Sequence, residues 1–155
     1  MTRPKRILLP IDGSYYSQKA FHWAVKNLYK PDDVLIFVHV VNPPVLKSFT
    51  LKSGINIPVD ELSKKIQKRI EKSEKLHSSY SNECLNYNAK HEYYTITHKS
   101  PGEGICQSSV DNNADIIVIG NRGLGKFKRT LLGSVSDYVI NRSSIPVTIV
   151  PPVDD

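Results

Sequence analysis

The segment Val34-Leu-Ile-Phe-Val-His-Val-Val41 is the most apolar stretch of the chain, and it decides the class of fold. An apolar run with little alternation is typical of a strand that is covered on both faces, as in a parallel sheet. Residues 6–11, 116–119 and 145–150 have the same character. We therefore predict four buried strands, and a fifth over residues 93–98, which alternate and are β-branched.

Helical periodicity occupies the intervals between these strands. Apolar residues three and four apart predict a first helix after Asp12-Gly-Ser14, with Ser14 or Ser17 as its N-cap. A broken apolar stripe predicts a long second helix over residues 59–84. Pro101 fits the first turn of a third helix that ends near residue 113, with Ile105 and Val110 facing inward.

A fourth helix over residues 134–141 completes a regular alternation of strands and helices. Such alternation predicts an α/β fold: one open five-stranded parallel sheet, Rossmann-like, in the order 3-2-1-4-5, with helices on both faces. We interpret residues 43–58 as a loop and residues 1–155 as one domain. Ligands of such sheets bind beyond the carboxyl ends of the strands, which directs attention to Asp12, Val41 and Gly120.

Composition narrows the class of protein further. The chain has 155 residues, and 39% of them are hydrophobic, which excludes a collagen-like or disordered chain. No apolar run approaches the roughly 20 residues of a membrane span, and the start of the chain does not resemble a signal peptide. The two cysteines are too few for a disulfide framework, so we expect a reducing, cytoplasmic location.

The net charge of +6 favours anionic partners in general. Six lysine and arginine residues lie on the predicted second helix between residues 64 and 75, and nucleic-acid binding is one interpretation of this basic helix. We favour a solvated face instead, because Glu61, Glu71 and Glu74 dilute the field and no aromatic residues are interleaved.

Residues 120–136 read Gly-Asn-Arg-Gly-Leu-Gly-Lys-Phe-Lys-Arg-Thr-Leu-Leu-Gly-Ser-Val-Ser, between the fourth strand and the fourth helix. Glycines let a backbone approach a ligand closely, and N–H groups at a helix start near Ser134 favour an anion. The segment contains four cations and no acid, and Ser134 and Ser136 add hydroxyl donors. These features together predict a phosphate-binding loop. It lacks the Gly-Lys-Ser/Thr ending of a Walker A loop and lies too late for a dinucleotide fingerprint.

The spacing Gly120-x-x-Gly123, nine residues, then Gly133-Ser134 resembles the nucleotide loop of the universal stress protein family. Leu9-Pro-Ile-Asp12 resembles that family's first strand and acidic residue, and His39-Val-Val41 the end of its second strand. Residues 146–150 resemble its closing strand, so the likeness covers about residues 5–151.

The resemblance implies a site for an adenine nucleotide: ATP, or ADP or AMP. Pro10 and Ile11 would line the base pocket, and the backbone of Val41 would recognise the adenine edge. Asp12 would face the ribose or a phosphate-bound Mg²⁺. The remaining implied contacts are with phosphates, at Gly120, Arg122 and Gly123 for the α- and β-phosphates and at Gly133, Ser134, Val135 and Ser136 for the distal ones.

Simpler structural roles compete with parts of this assignment. Asp12 has an alternative role as a cap of the following helix, and Ser134 as an N-cap alone. The five histidines are scattered without metal-ligand spacing, and we expect His39 to be a hydrogen-bonded core residue.

The residues favour a regulatory or sensor module that binds nucleotide. The alternative is a slow ATP-hydrolysing enzyme on the same fold, but efficient phosphoryl transfer needs a positioned base and a metal site, and no clear base is present.

The last strand predicts self-association. If residues 147–150 form an apolar edge strand, that edge needs a cover. Family likeness implies that two chains pair there as a symmetric homodimer.

Overall fold

The computed structural model describes residues 3–43, 59–122 and 132–152. Its strands are β1 (Arg6–Pro10), β2 (Val34–Val41), β3 (Lys90–Thr97), β4 (Ile116–Gly120) and β5 (Val147–Val150). All neighbouring strands run parallel, in the order β3-β2-β1-β4-β5. The predicted α/β class and the predicted strand order are both confirmed.

Four helices alternate with the strands: α1 (Tyr15–Asn27), α2 (Val59–Asn86), α3 (Pro101–Asp111) and α4 (Ser134–Arg142). On one face of the sheet, Phe21 of α1 and Tyr80 of α2 pack with Leu9 and Phe37. Ile105 of α3 belongs to the core on the other face. The sheet is therefore covered on both sides, which is why its central strands are continuously apolar.

The helix starts follow capping chemistry. Ser14 is the N-cap of α1, where its hydroxyl accepts a hydrogen bond of 3.3 Å from the Ser17 N–H, so the first of the two predicted caps is correct. Ser100 caps α3 in the same way, accepting from the Glu103 N–H at 3.4 Å, and Pro101 occupies the first turn as predicted.

Two expectations at the margins of the sheet were wrong. β3 begins at Lys90 rather than at residue 93, because the whole strand pairs in register with β2, from Val34 opposite Lys90 onward. Its first residues are polar and carry no apolar signal. Val110 does not face inward: it is 57% exposed near the end of α3, while Ile105 is buried as predicted.

The long helix α2 packs along only part of its length. Tyr80 and Cys84 near its end are buried, whereas Ile66 and Ile70 of the predicted apolar stripe are 42% and 46% exposed. The loop that we predicted before this helix falls on residues 44–58, which lie outside the described part of the chain.

His39 is a buried, hydrogen-bonded residue of β2, as predicted. Its Nδ1 lies 3.2 Å from the Ser73 hydroxyl of α2, and that hydroxyl also contacts Thr95 of β3 at 2.5 Å. Burial, reinforced by nearby Lys72 and opposed by Asp12, lowers the pKa of His39 below its ordinary value. The imidazole thus joins α2 to the sheet in its neutral form. None of the described helices has the length and apolarity needed to cross a membrane.

Candidate functional site

A cavity of about 400 Å³ opens beyond the carboxyl ends of β1 and β4. This is the switch point of the sheet, because the chain adds β2 and β3 on one side of β1 and then β4 and β5 on its other side. This volume lies within the range of small-molecule pockets. Its walls come from β1, β2, β4, α1, α3, α4 and adjoining turns: Pro10, Ile11, Asp12, Ser14, Tyr16, Ser17, Val38, Val40, Pro101, Ile105, Ile119, Gly120, Arg122, Gly133, Ser134, Val135 and Ser136.

The cavity has an apolar side and a polar side. The apolar side consists of aliphatic side chains from β2, β4 and α3, namely Val38, Val40, Ile119 and Ile105. The polar side consists of Asp12, Arg122 and the start of α4, which bring charge and main-chain N–H groups to the lining. Such a division suits a ligand with an apolar ring at one end and an anion at the other.

The structure brings nine of the eleven predicted residues together in this cavity, namely Pro10, Ile11, Asp12, Gly120, Arg122, Gly133, Ser134, Val135 and Ser136. Gly123 lies outside the described residues. Val41 is described, but it does not line the cavity. It lines a second groove of about 350 Å³ between β2, β3 and α2.

Main-chain direction explains why Val40, and not the predicted Val41, lines this cavity. The His98 N–H donates to the Val41 carbonyl at 3.0 Å, so the main-chain groups of Val41 face β3. The Ile11 N–H donates to the Val38 carbonyl at 2.9 Å, so Val38 faces β1. Because main-chain groups alternate along a strand, those of Val40 face the same side as Val38. β1 ends at Pro10, and Val40 therefore addresses the cavity.

Gly120 is a glycine for a packing reason. A Cβ placed at Gly120 would lie 2.2 Å from the Tyr16 carbonyl oxygen and 2.6 Å from its carbonyl carbon. These are backbone atoms of α1, which cannot move aside as a flexible side chain can. The close approach that the sequence suggested for a ligand is therefore an approach of helix α1 to strand β4.

Gly133 stands under no such restriction. Its φ is −65°, it is the N-cap of α4, and no side chain caps the helix there. The nearest heavy atom to a Cβ at Gly133 would be the Ser136 hydroxyl, at the ordinary contact distance of 3.6 Å. The fold thus leaves an open position in front of a helix N-terminus, where unpaired N–H groups and the helix dipole favour an anion.

The serines at the start of α4 differ from each other. Ser136 is buried, and its hydroxyl donates to the Gly133 carbonyl at 3.0 Å, so its proton is already used. Ser134 is exposed at the first position of the helix. Of the two hydroxyl donors expected from the sequence, only Ser134 is suited to donate to a ligand.

The sequence reasoning missed Asn121, which supports the loop although it is not among the residues that line the cavity. Its side-chain Oδ1 accepts from the Gly133 N–H at 3.1 Å, and its own N–H donates to the Val150 carbonyl at 2.9 Å. It is 6% exposed. One buried amide therefore ties the two ends of the glycine-rich loop together and to β5. The sequence feature that could have identified Asn121 is its position as a polar residue directly after an apolar strand.

Asp12 and Arg122 form an ion pair at the polar side of the cavity. The Ser14 N–H donates to Asp12 Oδ1 at 2.9 Å, and the Arg122 guanidinium contacts Oδ2. Burial would raise the pKa of Asp12, but hydrogen bonds from Ser14 and Arg122 outweigh burial and lower that pKa. Asp12 therefore stabilises the turn before α1, although the N-cap itself is Ser14. Its carboxylate also lines the cavity.

Comparisons with known proteins agree with this fold. A model of the Universal stress protein family matches residues 4–151. The universal stress protein MJ0577 of Methanocaldococcus jannaschii is 28% identical over 159 aligned residues, covering 94% of each chain. Its solved structure superposes with a TM-score of 0.75 at 24% identity, covering 99% of this chain and 100% of that one.

Two further structures share the fold. A universal stress protein family protein from Arabidopsis thaliana with AMP bound has a TM-score of 0.72 at 20% identity, covering 98% of this chain and 94% of that one. A universal stress protein in complex with cAMP has a TM-score of 0.60 at 22% identity, covering 97% and 98%.

Length varies among the relatives. The chain spans about half (47%) of a relative from Mycolicibacterium smegmatis and nearly all of others such as MJ0577, whereas a relative from Synechocystis aligns with only 36% of this chain and 51% of its own length. The family match itself extends over almost the whole sequence. This chain belongs to the universal stress protein family.

Proposed function

We propose that this chain is a regulatory or sensor module that binds an adenine nucleotide, ATP or ADP or AMP, with little or no ATPase activity. One observation carries the proposal: the cavity at the switch point of the sheet joins an apolar wall to the uncapped N-terminus of α4. The AMP and cAMP complexes of proteins with the same fold support adenine as the base.

The apolar wall is the proposed base pocket. Pro10 and Ile11 close one side of it, and the main chain of Val40, in place of that of Val41, faces the adenine edge. Asp12 lines the polar side of the cavity two residues after β1 ends, where its carboxylate is suited to accept from a ribose hydroxyl.

The polar side is the proposed phosphate site. First-turn N–H groups at Ser134, Val135 and Ser136 have no partner within a helix and favour an oxyanion. Arg122 adds a guanidinium at the rim. The peptide of Gly120 borders the same space, and Gly123, outside the described residues, follows in the loop.

Binding without rapid hydrolysis is favoured by the acids present. Among the described lining residues, Asp12 is the single carboxylate, and it is held by Ser14 and Arg122 rather than by a water-activating arrangement. The rate of ATP turnover distinguishes the second candidate, a slow ATPase, from a module that only binds nucleotide. A rate near or above about 1 s⁻¹ for the purified chain would favour the enzyme.

The proposal is tested on the full chain in two steps. Freshly purified protein is denatured, and any released nucleotide is identified by mass spectrometry. ATP, ADP and AMP are then titrated into nucleotide-free protein by calorimetry, with GTP as the control for the base. We expect saturable binding of the adenine nucleotides. Absence of binding by all three would refute the proposed function.

We further propose that two copies form a symmetric homodimer along β5. This strand lies at the margin of the sheet and pairs only with β4 among the described strands. The carbonyls of Pro146 and Val150 accept from β4, so by alternation the main-chain groups of Val147 point to the open edge.

Sedimentation at micromolar concentration tests this assembly. We expect a dimer for the wild-type chain. Val147→Pro removes an outward N–H without removing a hydrogen bond to β4, so it should shift the equilibrium toward monomer. A wild-type monomer would contradict the proposal.

A further inference from the structure

The proposed nucleotide site has an arginine paired with its single described lining carboxylate. Arg122 is the second residue after β4, and its guanidinium contacts Asp12 across the polar side of the cavity. The two side chains are 64% and 45% exposed. Pairs this exposed contribute little to folding, so the contact can rearrange without loss of the fold.

Both oxygens of the Asp12 carboxylate are already engaged in this arrangement. Oδ1 accepts from the Ser14 N–H at 2.9 Å, and Oδ2 is taken by Arg122. These same contacts hold the pKa of Asp12 below its ordinary value against the opposing effect of burial. A divalent cation would have to displace the guanidinium and then lie beside it, against its charge.

Asp12 is the single carboxylate among the described residues that line the cavity. In the described part of the chain, no three His, Cys, Asp or Glu side chains are grouped to hold a metal ion. The sequence of residues 123–131, which completes the loop, contains no aspartate or glutamate, and neither does that of residues 44–58. Mg²⁺ at nucleotide sites uses one or two carboxylates besides the phosphates. The described lining offers one carboxylate, Asp12, and Arg122 already holds it, so no unengaged carboxylate is left there for the cation.

We propose that Arg122 brings to the nucleotide phosphates the positive charge that Mg²⁺ would otherwise supply, so that this chain binds its nucleotide without a divalent cation. A guanidinium binds phosphate oxygens through two parallel N–H groups and needs no carboxylate to hold it. The inference rests on the proposed nucleotide function. It assigns Asp12 to the ribose rather than to a metal.

The test compares ATP affinity by calorimetry in EDTA and in excess Mg²⁺. We expect the wild-type chain to bind ATP at least as tightly in EDTA. Arg122→Gln should weaken binding in EDTA by about tenfold or more. Because this variant frees Asp12, it should bind ATP more tightly with Mg²⁺ than with EDTA. Arg122→Lys, which keeps the charge, should lose less affinity than Arg122→Gln.

A matched control is available at the opposite end of the sheet. Arg3 forms an exposed ion pair with Asp115, so Arg3→Gln removes the same charge from a comparable pair far from the cavity. It should leave ATP affinity unchanged in both buffers. Thermal unfolding of each variant verifies that the fold is retained.

The outcomes are distinguishable. Binding of ATP by the wild-type chain only in Mg²⁺ would overturn the role of Arg122 while leaving the nucleotide function intact. Equal affinity of wild type and Arg122→Gln in EDTA, or a variant equally weak in both buffers, would also overturn it. Failure of the wild-type chain to bind ATP or AMP in either buffer would instead refute the proposed function.

Discussion

Gly120 and Gly133 stand at the two ends of one loop, and the fold needs only the first of them. A Cβ at Gly120 would collide with the backbone of Tyr16, whereas a Cβ at Gly133 would meet the Ser136 hydroxyl at 3.6 Å and the Asn121 Oδ1 at 3.9 Å, both ordinary contact distances. The same residue type therefore serves packing of α1 at one end and leaves open space before α4 at the other.

This difference separates residues that build the cavity from residues that border a ligand. The end of the loop at Gly120 and Asn121 is tied to α1, β5 and Gly133 by contacts within the chain. The end at Gly133 and Ser134 has an N-cap without a side-chain bond. Substitutions at the first end should act on stability, and those at the second on binding.

The largest effect is expected for Gly120→Ala. Its methyl group has to displace helix backbone, so we expect a loss of about 3 kcal/mol in the free energy of unfolding. Urea unfolding measures it, with Gly133→Ala as the matched control, expected to lose only about 1 kcal/mol, because alanine is a poorer N-cap than glycine but meets no backbone. Equal stability of the two variants would remove the proposed difference between the glycines.

Gly133→Asp tests whether the end of the loop at Gly133 serves ligand binding rather than stability. Aspartate is a favourable N-cap, so the thermal stability should be kept or raised. The same carboxylate would lie where we place the phosphates, and we expect ATP affinity to fall by about 100-fold, or roughly 2.7 kcal/mol. Gly133→Asn, a neutral side chain of the same shape, separates charge from volume and should lose less affinity. ATP affinity that is unchanged in Gly133→Asp would refute the phosphate assignment.

Asn121→Ala tests the tether between the two ends. The Gly133 N–H would lose its partner, and we expect a loss of about 1–2 kcal/mol in the free energy of unfolding. Asn141→Ala on α4 is the control, since that exposed amide only bonds Asp137 within the same helix. If both variants had the same stability, Asn121 would not be a structural tether.

The buried polar contact of His39 predicts the smallest effect, a pH dependence. Because its pKa is lowered in the folded chain, the unfolded chain takes up a proton first as the pH falls. Stability should therefore decrease below a pH of about 6.5, the ordinary value for histidine, and His39→Gln should flatten that part of the curve. Urea unfolding between pH 5 and 8 measures the slope. Parallel curves for the two chains would exclude His39 as the cause.

Much of the fold could be predicted because it depends on local patterns. Continuous apolar runs identified the central strands, since residues covered on both faces cannot alternate. The start of β3 was missed because a strand at the margin of the sheet has polar residues there. Val110 was misplaced because periodicity alone does not reveal where a helix leaves the core.

The cavity was predicted less completely, because contacts between distant segments decide its details. Whether Val40 or Val41 addresses a ligand depends on where β1 ends beside β2, and the Arg122 contact with Asp12 joins residues 110 positions apart. Neither the spacing of glycines nor the charge of the loop contains that information. The purpose of Gly120 likewise became visible only with α1 in place.

The most direct measurement is a crystal structure of the chain with AMP or ATP. We expect the base to lie with Pro10 and Ile11 on one side and the main chain of Val40 at its edge. We expect phosphate density at the N–H groups of Ser134 and Val135. Nucleotide in the groove beside Val41, Ile66 and Ile70, or a switch-point cavity that stays empty at saturating nucleotide, would contradict the proposed site.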